Sequence, residues 1–424
     1  MKVLIVGGGG REHALAWKLI QSRLIDELHV APGNPGIGRF AWCHPGVKAT
    51  DVEGQVALAQ QIGANLVVVG PDDALARGLV DRLAAVGIRA FGPTREAARL
   101  EWSKDFAKEI MTRAGVPTAG YGSFTDYETA RAYLELQGAP IVIKADGLAL
   151  GKGVTVCMTL VEAEDALKAV MLDRAFGEAG ARVIIEEYME GEEVSLLCLS
   201  DGRTVRQMVS AQDHKRAGEG DTGPNTGGMG TYAPVPAYTP DIARTVQKRI
   251  VEPVIAAMAN RGAPFVGCLF VGLMLTADGP RVVEFNARFG DPEAQVVLPL
   301  LENDLLDVML ACVEGRLKEV DLRFRAGAAA NIVLASPGYP GAYPKGLPID
   351  GLAEADELGV TVFHAGTDYD EDGMLVTAGG RVLGVMATGA DLPEALARAY
   401  AGVEAIQFEG KQYRRDIGWR SLSK

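Results

Sequence analysis

Lys144-Ala145-Asp146-Gly147-Leu148-Ala149-Leu150-Gly151-Lys152-Gly153-Val154 joins two apolar strands, Ile141–Lys144 and Val154–Met158, through a glycine loop that carries a lysine. It matches a P-loop only superficially. Three residues rather than four separate Gly147 from Gly151, Gly153 stands where Ser or Thr would bind Mg²⁺, and the loop runs from strand to strand. Such a loop suits a flap laid over a nucleotide's phosphates, with Lys144 reaching the same phosphates from the end of its strand. A plain hairpin tip with an exposed lysine is the alternative.

Upstream, the first ~95 residues alternate strand and helix as a doubly wound parallel sheet does. Val3–Val6 opens as a strand, Arg11–Ile20 follows as a helix, and further strands are expected at Leu28–Val30, Leu66–Val69 and Ile88–Phe91. Helices are expected at Val56–Ile62 and around Leu75–Ala85, then a helical connector from Thr94 to Ala114. Thr125-Asp126-Tyr127-Glu128 reads as a capping box, and Glu162–Leu172 as a helix before a strand at Arg182–Glu187. Downstream come strands at Ser195–Leu199 and Val205–Ala211, then a glycine-rich loop from Arg216 to Tyr232. A helix begins at Thr239-Pro240, and strands follow at Phe270–Leu275 and Arg281–Asn286. From about Gly327 the pattern changes again, to a small terminal domain.

The 424 residues suggest about three domains at roughly 150 residues each. Apolar residues make up 48% and charged residues 23%, an ordinary globular balance that excludes disorder, collagen and coiled coil. No apolar run approaches the ~18 residues that would span a bilayer. The glycines after Val6 interrupt any signal-peptide core. Five scattered cysteines without a Cys-x-x-Cys pair fit a reducing cytoplasm and argue against structural zinc. A net charge of −13 argues against nucleic-acid binding, though local basic groups and amides still bind anionic substrates.

Gly7-Gly8-Gly9-Gly10 lies between a strand and a helix, where amide N–H groups and the helix dipole favour an anion. The third glycine of a dinucleotide fingerprint is missing, and Ala31-Pro32-Gly33-Asn34 places no acid for a ribose. A phosphate-binding turn and a purely structural turn both remain open. In Val283-Glu284-Phe285-Asn286-Ala287-Arg288-Phe289, strand alternation puts Glu284 and Asn286 on one face and Phe285 on the other. A carboxylate and an amide oxygen two residues apart are the hard ligands Mg²⁺ accepts. Arg288 beside them suits a carboxylate or phosphate. The acids ending Val183–Glu187, with Tyr188 and Glu193 beyond, could serve a base and a ribose, or be merely solvated. Gln212-Asp213-His214-Lys215-Arg216 feeds the glycine-rich loop as a lid over anions would. The histidines offer no His-x-x-x-His pair, and His13 is expected on a helix surface.

Taken in order, these elements resemble the ATP-grasp ligases, and among them the glycinamide ribonucleotide synthetases, along essentially the whole chain. The resemblance rests on Val6-Gly7-Gly8-Gly9-Gly10-Arg11-Glu12-His13, the 144–154 loop, Glu186-Glu187-Tyr188 and the glycine loop through Gly230. Arg288-Phe289-Gly290-Asp291-Pro292-Glu293-Ala294-Gln295 is its most specific string, and Ala335-Ser336-Pro337-Gly338-Tyr339-Pro340 adds to it. It implies a fold of three parts: an N-terminal α/β domain (1–103), an ATP-grasp domain (104–326, with a flap subdomain about 124–190) and a C-terminal domain (327–424). It also implies ligation of glycine to 5-phosphoribosylamine with ATP, in a cytoplasmic monomer of purine synthesis.

By the same resemblance, Lys104, Lys144 and Lys152 would hold ATP phosphates, Glu186, Glu187 and Tyr188 the adenine, and Glu193 the ribose. Glu284 and Asn286 would hold Mg²⁺ or Mn²⁺. Asp213 and Arg288 would orient glycine, and Gly8, Gly9 and Gly10 would take the phosphoribosyl phosphate. Arg288, Lys144 and Lys152 would act in catalysis. The strand Leu269-Phe270-Val271-Gly272-Leu273-Met274 departs from many ATP-grasp enzymes in carrying no acid, which puts a second protein-held metal in doubt. The rival readings are a formate-dependent glycinamide ribonucleotide transformylase, an NAD-dependent dehydrogenase and a non-catalytic ATP-binding sensor.

Overall fold

The computed structural model describes residues 1–147, 153–175 and 177–422. Its first sheet is parallel and five-stranded, ordered Trp42–Cys43, Glu27–Pro32, Lys2–Gly7, Leu66–Val69, Ala90–Phe91. The central strand Lys2–Gly7 is covered on both faces, with Leu4 and Val6 in one core and Val3 and Ile5 in another. Burial on both sides explains its unbroken apolar run. The helix expected around Leu75–Ala85 is two, Asp72–Ala76 and Leu79–Ala85, because Gly78 turns left-handed between them (φ +80°). The connector divides too, into Arg99–Trp102 and Lys104–Ala114. Ser103 is extended there, and its hydroxyl accepts the Phe106 N–H at 3.2 Å as a fresh N-cap.

A four-stranded antiparallel sheet follows, ordered Tyr121–Phe124, Val183–Glu187, Ile141–Ala145, Val154–Cys157. Ile141, Ile143 and Ala145 pack into a core with Leu134 and Leu167, so Val142 and Lys144 face the other way. The expected capping box at Thr125–Glu128 is absent. Asp126 caps Tyr127–Gln137 instead, accepting from Thr129 N at 2.9 Å, because a carboxylate one residue later reaches the free amide. A capping box does occur one helix on, where Thr159 and Glu162 open Leu160–Met171.

The third sheet is antiparallel and eight-stranded: Gly279–Asn286, Val266–Thr276, Glu192–Asp201, Val205–Asp213, Gly230–Ala233, Ala328–Ala335, Arg381–Gly389, Thr361–His364. It runs without a break across the expected boundary at 326/327, since Gly230–Ala233 pairs with Ala328–Ala335. The stretch 216–232, read as a loop, contains that buried strand and a small ribbon, Arg216–Gly218 with Thr222–Asn225. Thr239 and Pro240 open a helix as expected, continued through a π turn at Gln247–Val251 into Glu252–Asn260.

His13 is not on a surface. It is 4% exposed, packs against Phe40 and Phe363, and accepts the His364 backbone N–H on Nδ1 at 2.8 Å. The helix Gly10–Leu19 is roofed there by the C-terminal strand Thr361–His364, a contact that helical periodicity cannot announce. No helix among the described residues is long and apolar enough to cross a membrane.

Candidate active site

A cavity of about 910 Å³ opens where the three sheets meet. Lys104, Lys144, Glu186, Glu187, Tyr188, Glu193, Asp213, Glu284, Asn286 and Arg288 all line it. Lys152 lies outside the described residues. Gly8, Gly9 and Gly10 are not among the described lining residues. They stand just behind Asp291, which does line the cavity and whose carboxylate oxygens come within 3.8 and 3.6 Å of where Cβ atoms on Gly9 and Gly10 would be. Glu12 already occupies one amide of that turn, accepting the Gly9 N–H at 2.7 Å, and ties Arg11 at 2.6 Å.

Lysines crowd one wall. Asp146 accepts the Lys104 N–H at 2.6 Å and so anchors the start of Lys104–Ala114, while Lys104 Nζ donates to Gly147 O at 3.2 Å. One helical turn on, Lys108 points into the same cavity, and it was missed in the sequence although the i, i+4 spacing from Lys104 was there to find. Glu186 neutralises both neighbours, at 3.3 Å from Lys108 and 2.8 Å from Lys144, and all three side chains are buried. Its carboxylate therefore organises lysines. Burial pushes the Lys108 ammonium down to about 8 against the pull of Glu186. Lys144 Nζ also donates to Val283 O at 3.1 Å, which fastens the small sheet to the large one. Glu187 sits further out, held by Arg281 at 2.8 Å and by Gly120 N at 3.0 Å.

Glu284 and Asn286 line the cavity, and the Phe285 between them is buried. Gly272 is the cross-strand partner of Glu284, so the neighbouring strand leaves room there and supplies no acid. Burial alone would raise the Glu284 carboxyl, but Lys215, Lys144, Lys104 and Arg288 outweigh it and hold it below the usual range. Among the described residues no group of three His, Cys, Asp or Glu side chains is placed to bind a metal. One carboxylate and one amide oxygen beside an open cavity fit a hard divalent cation that takes its other ligands from phosphate oxygens and water. Lys215 bridges Glu284 (4.0 Å) to Glu193 (2.9 Å).

At the far end an arginine and several carboxylates converge. Arg288 is pinned by Glu101 at 2.9 Å and donates to Phe289 O at 3.2 Å, while its buried Nε has no hydrogen-bond partner among the described residues. Asp213 Oδ1 is likewise buried with no hydrogen-bond partner among the described residues. Burial and the nearby Glu293 push the Asp213 carboxyl well up, and Glu293, raised by its own burial, accepts from Ser195 Oγ at 2.9 Å. Arg381 reaches in from the C-terminal segment, 3.0 Å from the Asp291 carboxylate. No sequence motif surrounds Arg381, so nothing marked it in advance.

Residues 1–101, 102–294 and 329–420 match in turn the N, ATP-grasp (A) and C domains of phosphoribosylglycinamide synthetase. The phosphoribosylamine–glycine ligase of Agrobacterium fabrum is 51% identical over 100% of this chain and 99% of its own length, and that of Caulobacter vibrioides 52% over the same shares. The chain belongs to the phosphoribosylamine–glycine ligase family. The crystal structure of the Thermotoga maritima ligase covers 98% of this chain and 100% of its own, with a TM-score of 0.85 at 34% identity. A biotin carboxylase from Campylobacter jejuni, at 15% identity, shares the fold alone (TM-score 0.71, 97% of this chain and 92% of its own). Family membership bears out the ATP-grasp reading over a dehydrogenase.

Proposed function

We propose that this chain joins glycine to 5-phosphoribosylamine with ATP, releasing ADP, phosphate and glycinamide ribonucleotide through a glycyl phosphate. The observation that carries this reading is the cavity in which Lys104, Lys108, Lys144, Lys215, Glu284, Arg288 and Asp213 converge. Lys104, Lys144 and Lys152 bind the ATP phosphates, the Glu186–Tyr188 segment the adenine, and Glu193 the ribose. Glu284 and Asn286 hold Mg²⁺ or Mn²⁺, which when bound offsets phosphate charge. The buried Arg288 Nε supports binding of glycine's carboxylate, and the buried Asp213 Oδ1 supports binding of its ammonium. The Gly8–Gly10 turn takes the sugar phosphate.

A glycine carboxylate oxygen attacks the terminal phosphorus as ADP leaves, with Arg288, Lys144 and Lys152 offsetting the charge that develops. The amine nitrogen then attacks the acyl carbon, phosphate departs and the nitrogen loses a proton. Five free cysteines support a cytoplasmic catalyst. We place its domains at 1–103, 104–326 and 327–424, with the flap at about 124–190.

Glycine labelled with ¹⁸O in both carboxylate oxygens tests the route. One label is expected in inorganic phosphate and one in the amide carbonyl. Label in AMP, or unlabelled phosphate beside stoichiometric ADP and amide, would overturn the acyl-phosphate route.

A further inference from the structure

The ribbon Arg216–Gly218/Thr222–Asn225 stands at the mouth of the site. Arg216 and Asn225 line both the main cavity and a second one of about 330 Å³, shared with the strand Val154–Cys157 opposite. Within itself the ribbon is tied by Arg216 Nη1 donating to Gly223 O at 2.8 Å and Thr222 Oγ1 to Glu219 O at 2.9 Å. It pairs irregularly, Thr222–Asn225 is exposed throughout, and an isolated two-stranded ribbon is marginal in water. Its further support comes from the other end of the chain. Arg414 is 0% exposed, and its guanidinium donates to Asp221 Oδ1 at 3.0 Å, to Arg216 O at 3.1 Å and to both Asp416 oxygens at 2.8 and 2.7 Å. Arg420 takes the other Asp221 oxygen, and Asp416 accepts the Gly220 N–H at 2.8 Å. Asp221 holds a left-handed backbone (φ +57°), a conformation that a non-glycine residue rarely adopts. Four of the five N–H donors of this buried guanidinium are met by two carboxylates and a carbonyl, so its orientation is fixed.

We propose that Arg414 is a positioning residue: acting through Asp221, it fixes ribbon 216–225 as the wall that keeps water from the acyl phosphate. Arg414 is not among the described residues lining the cavity, whereas Asp221, Arg216 and Arg420 are. The inference rests on the ligase reading above. With the wall displaced, a water oxygen attacks the acyl phosphate in place of the amine. Glycine and phosphate are returned, ADP having already left, and the net reaction is ATP hydrolysis without amide.

The test uses the full chain with Asp221→Asn, Arg414→Met and Arg414→Lys. Asn tolerates the left-handed backbone, so Asp221→Asn removes the ion pairs without disturbing φ and leaves Arg414 paired with Asp416 should the methionine variant fail to fold. Two quantities are read: phosphate released per amide formed, and hydrogen exchange of amides 216–225 without substrates. Wild type is expected at a ratio of one. Asp221→Asn and Arg414→Met are expected at about two or more, with faster ribbon exchange, and Arg414→Lys between them. The double variant is expected to be no worse than the worse single one. A residue that merely stabilises the fold would lower turnover and leave the ratio at one. A ratio of one in Asp221→Asn, or ribbon exchange at the wild-type rate, overturns the proposal. If wild type forms no amide, the ligase reading fails instead, and the exchange experiment alone decides whether Arg414 holds the ribbon.

Discussion

Glu284 shows how a single position carries several demands. Its carboxylate is the negative centre among Lys104, Lys144, Lys215 and Arg288, and Gly272 across the strand keeps space beside it. Glu284→Gln keeps the shape and removes the charge. The expected result is a fall in kcat of ~10²-fold or more, with a much smaller change in glycine binding measured without metal. Steady-state kinetics across a Mg²⁺ titration check this, and full activity with unchanged metal dependence would remove Glu284 from the metal face. Glu284, Asn286 and Arg288 were legible in the sequence because strand alternation is local and fixed. Glu101, which pins Arg288, and Arg381, which holds Asp291, were not. Their roles exist only once distant elements meet, and no spacing along the chain encodes that meeting.

At the scale of elements, the helix Lys104–Ala114 projects two lysines from one face into the site, one turn apart, because Ser103 and Asp146 cap its start. The sequence showed a helix there but ran it through Ser103. An N-cap inside a helical pattern is ambiguous until the chain is seen to break. The glycine turn was legible as a strand-to-helix junction, yet Glu12 folding back onto Gly9 was not. Lys108 gives this element a pH signature. Its ammonium titrates near 8, so it is charged below that pH and neutral above, where Glu186 keeps only Lys144 as partner. ATP affinity, measured by calorimetry without glycine, is expected to weaken as pH rises through about 8 in wild type. In Lys108→Arg that weakening is expected to be absent, since a guanidinium does not titrate in that range. Identical profiles for the two proteins would detach Lys108 from the nucleotide site.

Across the whole molecule, the N-terminal sheet and the C-terminal segment meet through a buried polar seam rather than a purely apolar one. Asn34 donates to Gly8 O and to His364 O, both at 2.9 Å, and His364 N donates to His13 Nδ1. Three recognisable parts could be read from the sequence, but not that one antiparallel sheet would cross from the second into the third, because pairing of Gly230–Ala233 with Ala328–Ala335 is non-local. The seam has a thermodynamic consequence. Burial first, then the neighbouring His364, lowers His13 to about 3 from 6.5, and burial with Arg39 nearby lowers His364 to about 4. Both are neutral in the folded protein at pH 5, whereas the unfolded chain binds protons below about 6.5. Their contribution is therefore fully present above about 6.5 and is lost as pH falls toward 4 and 3. At pH 5 the loss is about 2 kcal/mol for each histidine. His13→Asn preserves an acceptor for the His364 N–H and removes one titrating group. That variant is expected to start less stable at pH 7, yet to lose about 2 kcal/mol less than wild type between pH 7 and pH 5. Thermal unfolding midpoints at the two pH values provide the check. Equal losses in the two proteins would mean that His13 is already protonated in the folded seam at pH 5.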